Sequence, residues 1–110
     1  MPAELTAAGI EDVVEAFRDA ATRAVAAGFG LIEVHAAHGY LLHEFLSPLA
    51  NRRADEWGGP LENRARLLLD VVAAVREEVG ERLPVSVRLS ARDWAPDGLV
   101  PEDVGRVAAW

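Results

Sequence analysis

Residues 33–45 read EVHAAHGYLLHEF and hold all three histidines of the chain, His35, His38 and His43, together with its one tyrosine, Tyr40. Imidazole and phenol side chains move protons and donate hydrogen bonds to an oxygen that gains negative charge. A further group, Arg88, closes the run VSVR at 85–88 and carries a charge that no ordinary pH removes. A lone histidine at a strand end is more often a hydrogen-bonded structural residue than a catalytic one, so the grouping carries the argument. A competing chemistry is metal binding, because three imidazoles around zinc with an open position can activate water. Against it, His35 would end a strand while His38 and His43 follow in a loop, and no acid is spaced as in helical zinc motifs.

The elements that must position these residues are legible from apolar spacing. Ile10, Val13, Val14, Phe17, Ala21, Ala24 and Val25 recur at three- and four-residue steps, predicting a helix over about 8–27 with Thr6 as N-cap and Gly28 as its stop. Leu31, Ile32 and Val34 form a short glycine-bounded run, the pattern of a strand buried on both faces and ending at His35. From Ala36 to Gly59 the pattern is irregular, with room for a helical turn or two in YLLHEFLSP before Pro48. Irregular stretches of that length inside a small domain are usually functional. A second helix starts at Pro60, buries Leu61, Ala65, Leu68, Val72, Val75 and Val79, and stops at Gly80. VSVRLS is a second strand, and VPEDVGRVAAW begins another helix with Pro101 near its start. Helix, strand, helix, strand, helix predicts an α/β unit with parallel strands, either an open doubly wound sheet or an arc of a barrel. In such folds ligands bind where the carboxyl ends of the strands open into loops. His35 and Arg88 stand at those ends, so neighbouring strands, about 4.8 Å apart, would bring a donor pair and a cation to one crevice.

The bulk composition narrows the classes of function. A chain of 110 residues with 51% hydrophobic and 26% charged residues has the balance of one small globular domain. A net charge of −7 leaves no cationic excess to displace counterions from phosphates, so neither nucleic acid nor an anionic membrane surface is an expected partner. The start MPAELTAAGIEDVV lacks a basic segment followed by an apolar one, and no later run approaches the roughly 18 apolar residues of a spanning helix. With no cysteine there is no thiolate nucleophile, disulfide or cysteine-held cluster, a usage that fits the cytoplasm.

Taken in order, IEVHAAHGYLLHEFLSPLANRRADEWGGPLENRARLLLDVVAAVR and then VSVRLSARDW carry a His-x-x-His-x-Tyr segment, an Asn-x-Arg-x-Asp-x-x-Gly-Gly loop, a Glu-Asn-Arg helix start and a strand arginine. From about Ile10 to the end, this succession resembles the Old Yellow Enzyme family of FMN-dependent NAD(P)H oxidoreductases, most closely its YqjM-like bacterial ene reductases. The resemblance implies a (β/α)8 TIM barrel with FMN at its C-terminal mouth and NADH or NADPH as reductant. Such a barrel takes about 250 residues, so the expectation for 1–110 is an internal fragment from the middle of the barrel, with about two strands and their flanking helices. Earlier strands near the flavin's reactive edge and later loops for the FMN phosphate would lie outside it, and the fragment alone would be inactive.

Residue by residue, the resemblance implies that His35 and His38 hydrogen-bond the carbonyl oxygen of an α,β-unsaturated substrate while hydride reaches the β-carbon. Tyr40 matches the residue that delivers a proton to the α-carbon. Arg88 matches the arginine beside the pyrimidine end of the flavin, where a fixed positive charge favours the anionic reduced form. His43 matches no ligand of the family and reads as a packing or capping residue of the short turn. Arg52, Arg53, Asp55 and Glu56 shape their loop through ion pairs, Glu62, Asn63 and Arg64 anchor the helix start to it, Trp57 replaces a more usual tyrosine, and Trp94 reads as a pocket wall or packing. The implied partner is a small enone-like molecule, and the parent is expected to be a homo-oligomer.

Two other readings compete with this one: a truncated, non-catalytic piece that only packs against something else, and the zinc site described above. The first predicts unclosed sheet edges and exposed helix faces. The second is checked directly, since protein purified without added zinc is expected to carry far less than one equivalent of metal by atomic emission. Stoichiometric zinc would restore it.

Overall fold

The structure, a computed structural model, describes residues 3–110. The chain forms α1 (Ala7–Ala26), β1 (Ile32–Ala36), α2 (Leu41–Leu46), α3 (Leu61–Val79), β2 (Val85–Leu89) and α4 (Pro101–Ala109). The expected alternation holds, with the short α2 as an added element inside the irregular stretch. Thr6 caps α1 as expected, its Oγ1 accepting from the Gly9 N–H at 3.1 Å. Pro60 sits one place earlier than expected, as the N-cap of α3, and Gly80 ends that helix at φ 61°, a left-handed conformation that a Cβ would oppose.

β1 and β2 pair in parallel as a two-stranded sheet, with Ile32 opposite Val85 and His35 opposite Arg88. The first strand was expected to be buried on both faces, and it is not. Val34 and Ala36 turn into the core, while Glu33, His35 and Arg88 are exposed on the other face, because helices cover only one side of the sheet among the described residues. α3 is the central element of the core, packed against α1, α2, α4 and β2. Its buried arc is therefore wider than a single stripe: Leu67, Val71 and Ala74 join Leu61, Ala65, Leu68, Val75 and Val79, and Val72 is only half-buried.

Two polar pins set the loops that follow the strands. Arg64, buried on the first turn of α3, donates from Nε to the Gly59 carbonyl at 3.0 Å and from Nη1 to the Leu46 carbonyl at the end of α2. Burial lowers its pKa from the ordinary arginine value, against Asp103, Asp93 and Glu62, and it remains a cation. Asn63 holds the Gly58 carbonyl at 3.1 Å, while Glu62 pairs instead with Arg106 of α4. In the same loop Arg53 grips Asp55 with two hydrogen bonds and reaches the Leu5 carbonyl at 2.8 Å. At Gly58 the chain passes so close to Arg53 that an added Cβ would lie 2.2 Å from the Arg53 carbonyl oxygen.

The second pin is Asp93, beyond β2, with a side chain only 5% exposed. Its carboxylate accepts from Ser47 Oγ at 2.6 Å, from the Leu99 N–H at 2.9 Å and, at the other oxygen, faces His43 Nε2 at 2.8 Å. The Asp93 N–H in turn donates to the Leu99 carbonyl at 3.1 Å, so residues 93–99 form a closed loop fastened to α2.

Two outcomes follow from this packing. On the helix-covered side of the sheet an open apolar groove runs between α3, β2 and α4, lined by Leu68, Leu69, Val72, Val85, Val87 and Leu89, with Val87 37% and Trp110 51% exposed. The 110-residue chain alone is expected to elute in size-exclusion chromatography well above its 11.9 kDa monomer mass; a stable monomer would contradict the claim that this face needs a cover. For Asp93, burial raises the pKa, but the bonds from Ser47, Leu99 and His43 outweigh it and hold the carboxyl below its usual range. Because the folded value lies below the unfolded one of about 3.9, the stabilisation is complete above that value and is lost as pH falls through the folded pKa. Asp93→Asn is expected to remove part of the acid limb in urea denaturation followed against pH, and to lower stability at pH 7 by about 2–3 kcal/mol.

Candidate functional site

The C-terminal rim of the two strands collects the residues singled out by type and spacing. His35 is the fourth residue of β1 and its side chain lies on the uncovered face. Immediately after the strand the chain turns sharply, with His38 at φ 60° and Gly39 at φ 77°. Two consecutive left-handed residues reverse the path, and a non-glycine residue in that region is uncommon enough to mark a local constraint. The reversal carries His38 and Tyr40 back around His35. The His38 ring stands 5.2 Å from the His35 ring at 77°, and the Tyr40 ring stands 5.2 Å from it at 61°. All three are exposed, Tyr40 to 65%.

Each backbone N–H of this turn has an acceptor. Ala37 N–H donates to His35 Nδ1 at 3.3 Å, His38 N–H to Ser90 Oγ at 3.0 Å, Gly39 N–H to His43 Nδ1 at 2.7 Å and Tyr40 N–H to the Ala37 carbonyl at 3.3 Å. The first bond assigns a tautomer: a nitrogen that accepts is unprotonated, so the proton of neutral His35 sits on Nε2, which remains available to an incoming oxygen. Arg88, paired with His35 across the sheet, is exposed at the same rim. Two imidazoles, a phenol and a cation thus meet at one opening, as the strand order requires. This arrangement can donate hydrogen bonds to a carbonyl oxygen, give up a phenolic proton and hold an anionic group.

Other residues separate from the set. His43 lies within α2, and both its ring nitrogens are engaged, by Gly39 and by Asp93. The three imidazoles therefore do not converge, and among the described residues no group of three metal-ligating side chains is placed to hold an ion. Ser47 bonds to Asp93 rather than to His43, so the trio is no nucleophile relay. Trp94, at φ 59°, is 85% exposed with the Arg92 guanidinium 4.9 Å from its ring centroid, which rules out packing in the described core. Sequence reasoning missed Ser90 and Asp93, two side chains from the loop after β2 that hold the turn after β1. The available signal was an acid placed beyond a strand end, opposite His43, which the sequence assigned only to packing or capping of its turn.

With this geometry in place, comparison with known proteins is direct. The family model of the NADH:flavin oxidoreductase / NADH oxidase family matches residues 1–110. The chain is 57% identical over 102 residues to an NADPH dehydrogenase of Geobacillus thermodenitrificans (strain NG80-2), covering 93% of this chain and 29% of that protein. A solved complex of 2-naphthoyl-CoA reductase with 2-naphthoyl-CoA superimposes with a TM-score of 0.94 at 38% identity, over 97% of this chain and 16% of the other. Morphinone reductase in complex with tetrahydroNAD superimposes at 0.75 with 49% identity, over 80% of this chain and 24% of the other. The two strands and their helices are an arc of the barrel these enzymes share, and the chain spans under a third of the length of the curated relatives it matches. Over its full 110 residues, the chain belongs to the NADH:flavin oxidoreductase / NADH oxidase family.

Proposed function

We propose that these residues form the substrate-polarising section of an FMN-dependent NAD(P)H oxidoreductase of the ene-reductase kind, acting on a small α,β-unsaturated carbonyl compound in the cytoplasm. The observation that carries this reading is the ring cluster: His38 and Tyr40 each 5.2 Å from His35, all exposed at a strand rim beside Arg88. The names of the relatives, an NADPH dehydrogenase and a reductase solved with a nicotinamide analogue, support a nicotinamide as the ultimate reductant. On this reading residues 1–110 are a middle section of a longer barrel, and the parent assembles as a homo-oligomer.

The donor set fits a flavin. Arg88 provides one permanent cation for an electron-rich, polar ring edge, while the donors next to it are uncharged and leave a carbonyl substrate free to bind. FMN, when bound, supplies the hydride. His35 Nε2–H and the His38 ring donate to the substrate oxygen, draw electron density from its conjugated double bond and meet the negative charge that grows there. Tyr40 Oη gives its proton to the α-carbon and recovers one from water, which completes the addition of two hydrogens across the double bond. The strand rim supplies the rigidity that keeps these donors aimed, and Arg88 is fixed by the same register that fixes His35.

Loss of one donor to a developing oxyanion lowers rates about 10²- to 10³-fold. In the flavoprotein that contains this segment, replacing both His35 and His38 by alanine is expected to leave the purified protein yellow with FMN. Its kcat/KM for an enone should fall at least about 100-fold, near 2.7 kcal/mol in transition-state stabilisation. Unchanged turnover in the double variant would overturn the assigned roles.

A further inference from the structure

We propose that His43, oriented by Asp93, is the positioning residue of this site: it fixes the left-handed turn that holds His38 and Tyr40 against His35. The proposal rests on the reading of His35, His38 and Tyr40 given above. Its basis is a set of four hydrogen bonds that ties the turn at Gly39 to the loop beyond β2. The Gly39 N–H donates to His43 Nδ1 at 2.7 Å, His43 Nε2 meets Asp93 Oδ1 at 2.8 Å, and Asp93 Oδ2 is held by Ser47 Oγ at 2.6 Å and the Leu99 N–H at 2.9 Å.

The direction of these bonds is set by chemistry. An amide N–H can only donate, so His43 Nδ1 carries a lone pair and the ring proton is on Nε2, pointed at the carboxylate. Asp93 selects that tautomer, since a proton moved to Nδ1 would place two donors face to face at Gly39 and leave Asp93 without a donor at Oδ1. The carboxylate is itself immobile, with a side chain 5% exposed and three donors on its two oxygens, and the His43 side chain is only 12% exposed. The imidazole is therefore a rigid strut with one end on a buried anion and the other on the backbone of the turn.

That turn needs a strut. His38 at φ 60° and Gly39 at φ 77° occupy a conformation that a free chain leaves, and a non-glycine residue there persists only where its surroundings over-determine it. The neighbouring bond from the His38 N–H to Ser90 Oγ, at 3.0 Å, also originates beyond β2. The loop after one strand is thus templated by the loop after its neighbour. A displacement of about 1 Å in catalytic groups lowers rates about 100-fold, so a strut that touches no substrate still governs turnover.

The test uses the flavin-loaded parent with two substitutions. His43→Leu keeps the volume and removes the acceptor, whereas His43→Asn places Oδ1 near the position of Nδ1 and can again accept from Gly39. The leucine variant is expected to lose at least tenfold in kcat for an enone, per bound flavin, with rapid hydrogen exchange at the Gly39 amide. The asparagine variant should regain turnover to within about threefold of the wild type, with Gly39 protected. In wild-type protein, nitrogen-15 shifts should show His43 unprotonated at Nδ1. Full turnover in the leucine variant, or a tenfold loss in the asparagine variant while Gly39 stays protected, would overturn the proposal. If leucine at 43 prevents folding, the asparagine variant decides on the same two readouts. A wild-type parent that reduces no enone would instead count against the proposed function, and the Gly39 exchange and His43 tautomer would still report on the strut.

Discussion

The register of two parallel strands is the constraint from which the site follows. Because Ile32 lies opposite Val85, His35 must lie opposite Arg88, and a slip of one residue would turn every side chain to the other face. Register is held by burial: Val34 and Ala36 alternate into the core, so the intervening Glu33 and His35 cannot exchange places with them without losing that apolar contact. The same alternation that secures the strand therefore aims the histidine at the open side. Placement of the proposed site and core packing are one choice here.

The rim beyond the strands is organised by a few buried polar groups, since irregular backbone cannot satisfy its own donors and acceptors. Arg64 and Asp93 divide this work. Arg64 holds carbonyls from the end of α2 and the glycine turn before α3. Asp93 gathers donors from α2, from its own loop and from His43. Their desolvation is offset by two hydrogen bonds at Arg64 and three at Asp93, the condition under which buried charge is tolerated. Trp57 Nε1 shows the other outcome, a buried donor without an acceptor among the described residues.

Local features were the most legible in the sequence. The Thr6 cap, the Gly80 stop, the helix periods and the two strand runs are set by neighbours a few residues away, and all appear within a residue or two of their expected places. The grouping of His35, His38 and Tyr40 was legible for the same reason, because a short turn cannot carry them far apart. Burial was less so. Periodicity marked one stripe of α3, yet neighbours on several sides bury Leu67, Val71 and Ala74 as well. The apolar run of β1 suggested cover on both faces, whereas its outer face is bare. The bond between His43 and Asp93 spans 50 positions, and no spacing rule reaches that far.

The close passage at Gly58 bears on how this stretch of polypeptide can evolve. A side chain of any size there would collide with the Arg53 carbonyl 2.2 Å away, so the backbone would have to be rerouted, and the Gly58 carbonyl that Asn63 holds would move with it. The exposed charges on the outside of the loop have no such veto over them. Genetic drift can recolour that surface freely while a single hydrogen atom keeps the path unchanged, which makes the smallest residue in the segment its least replaceable one.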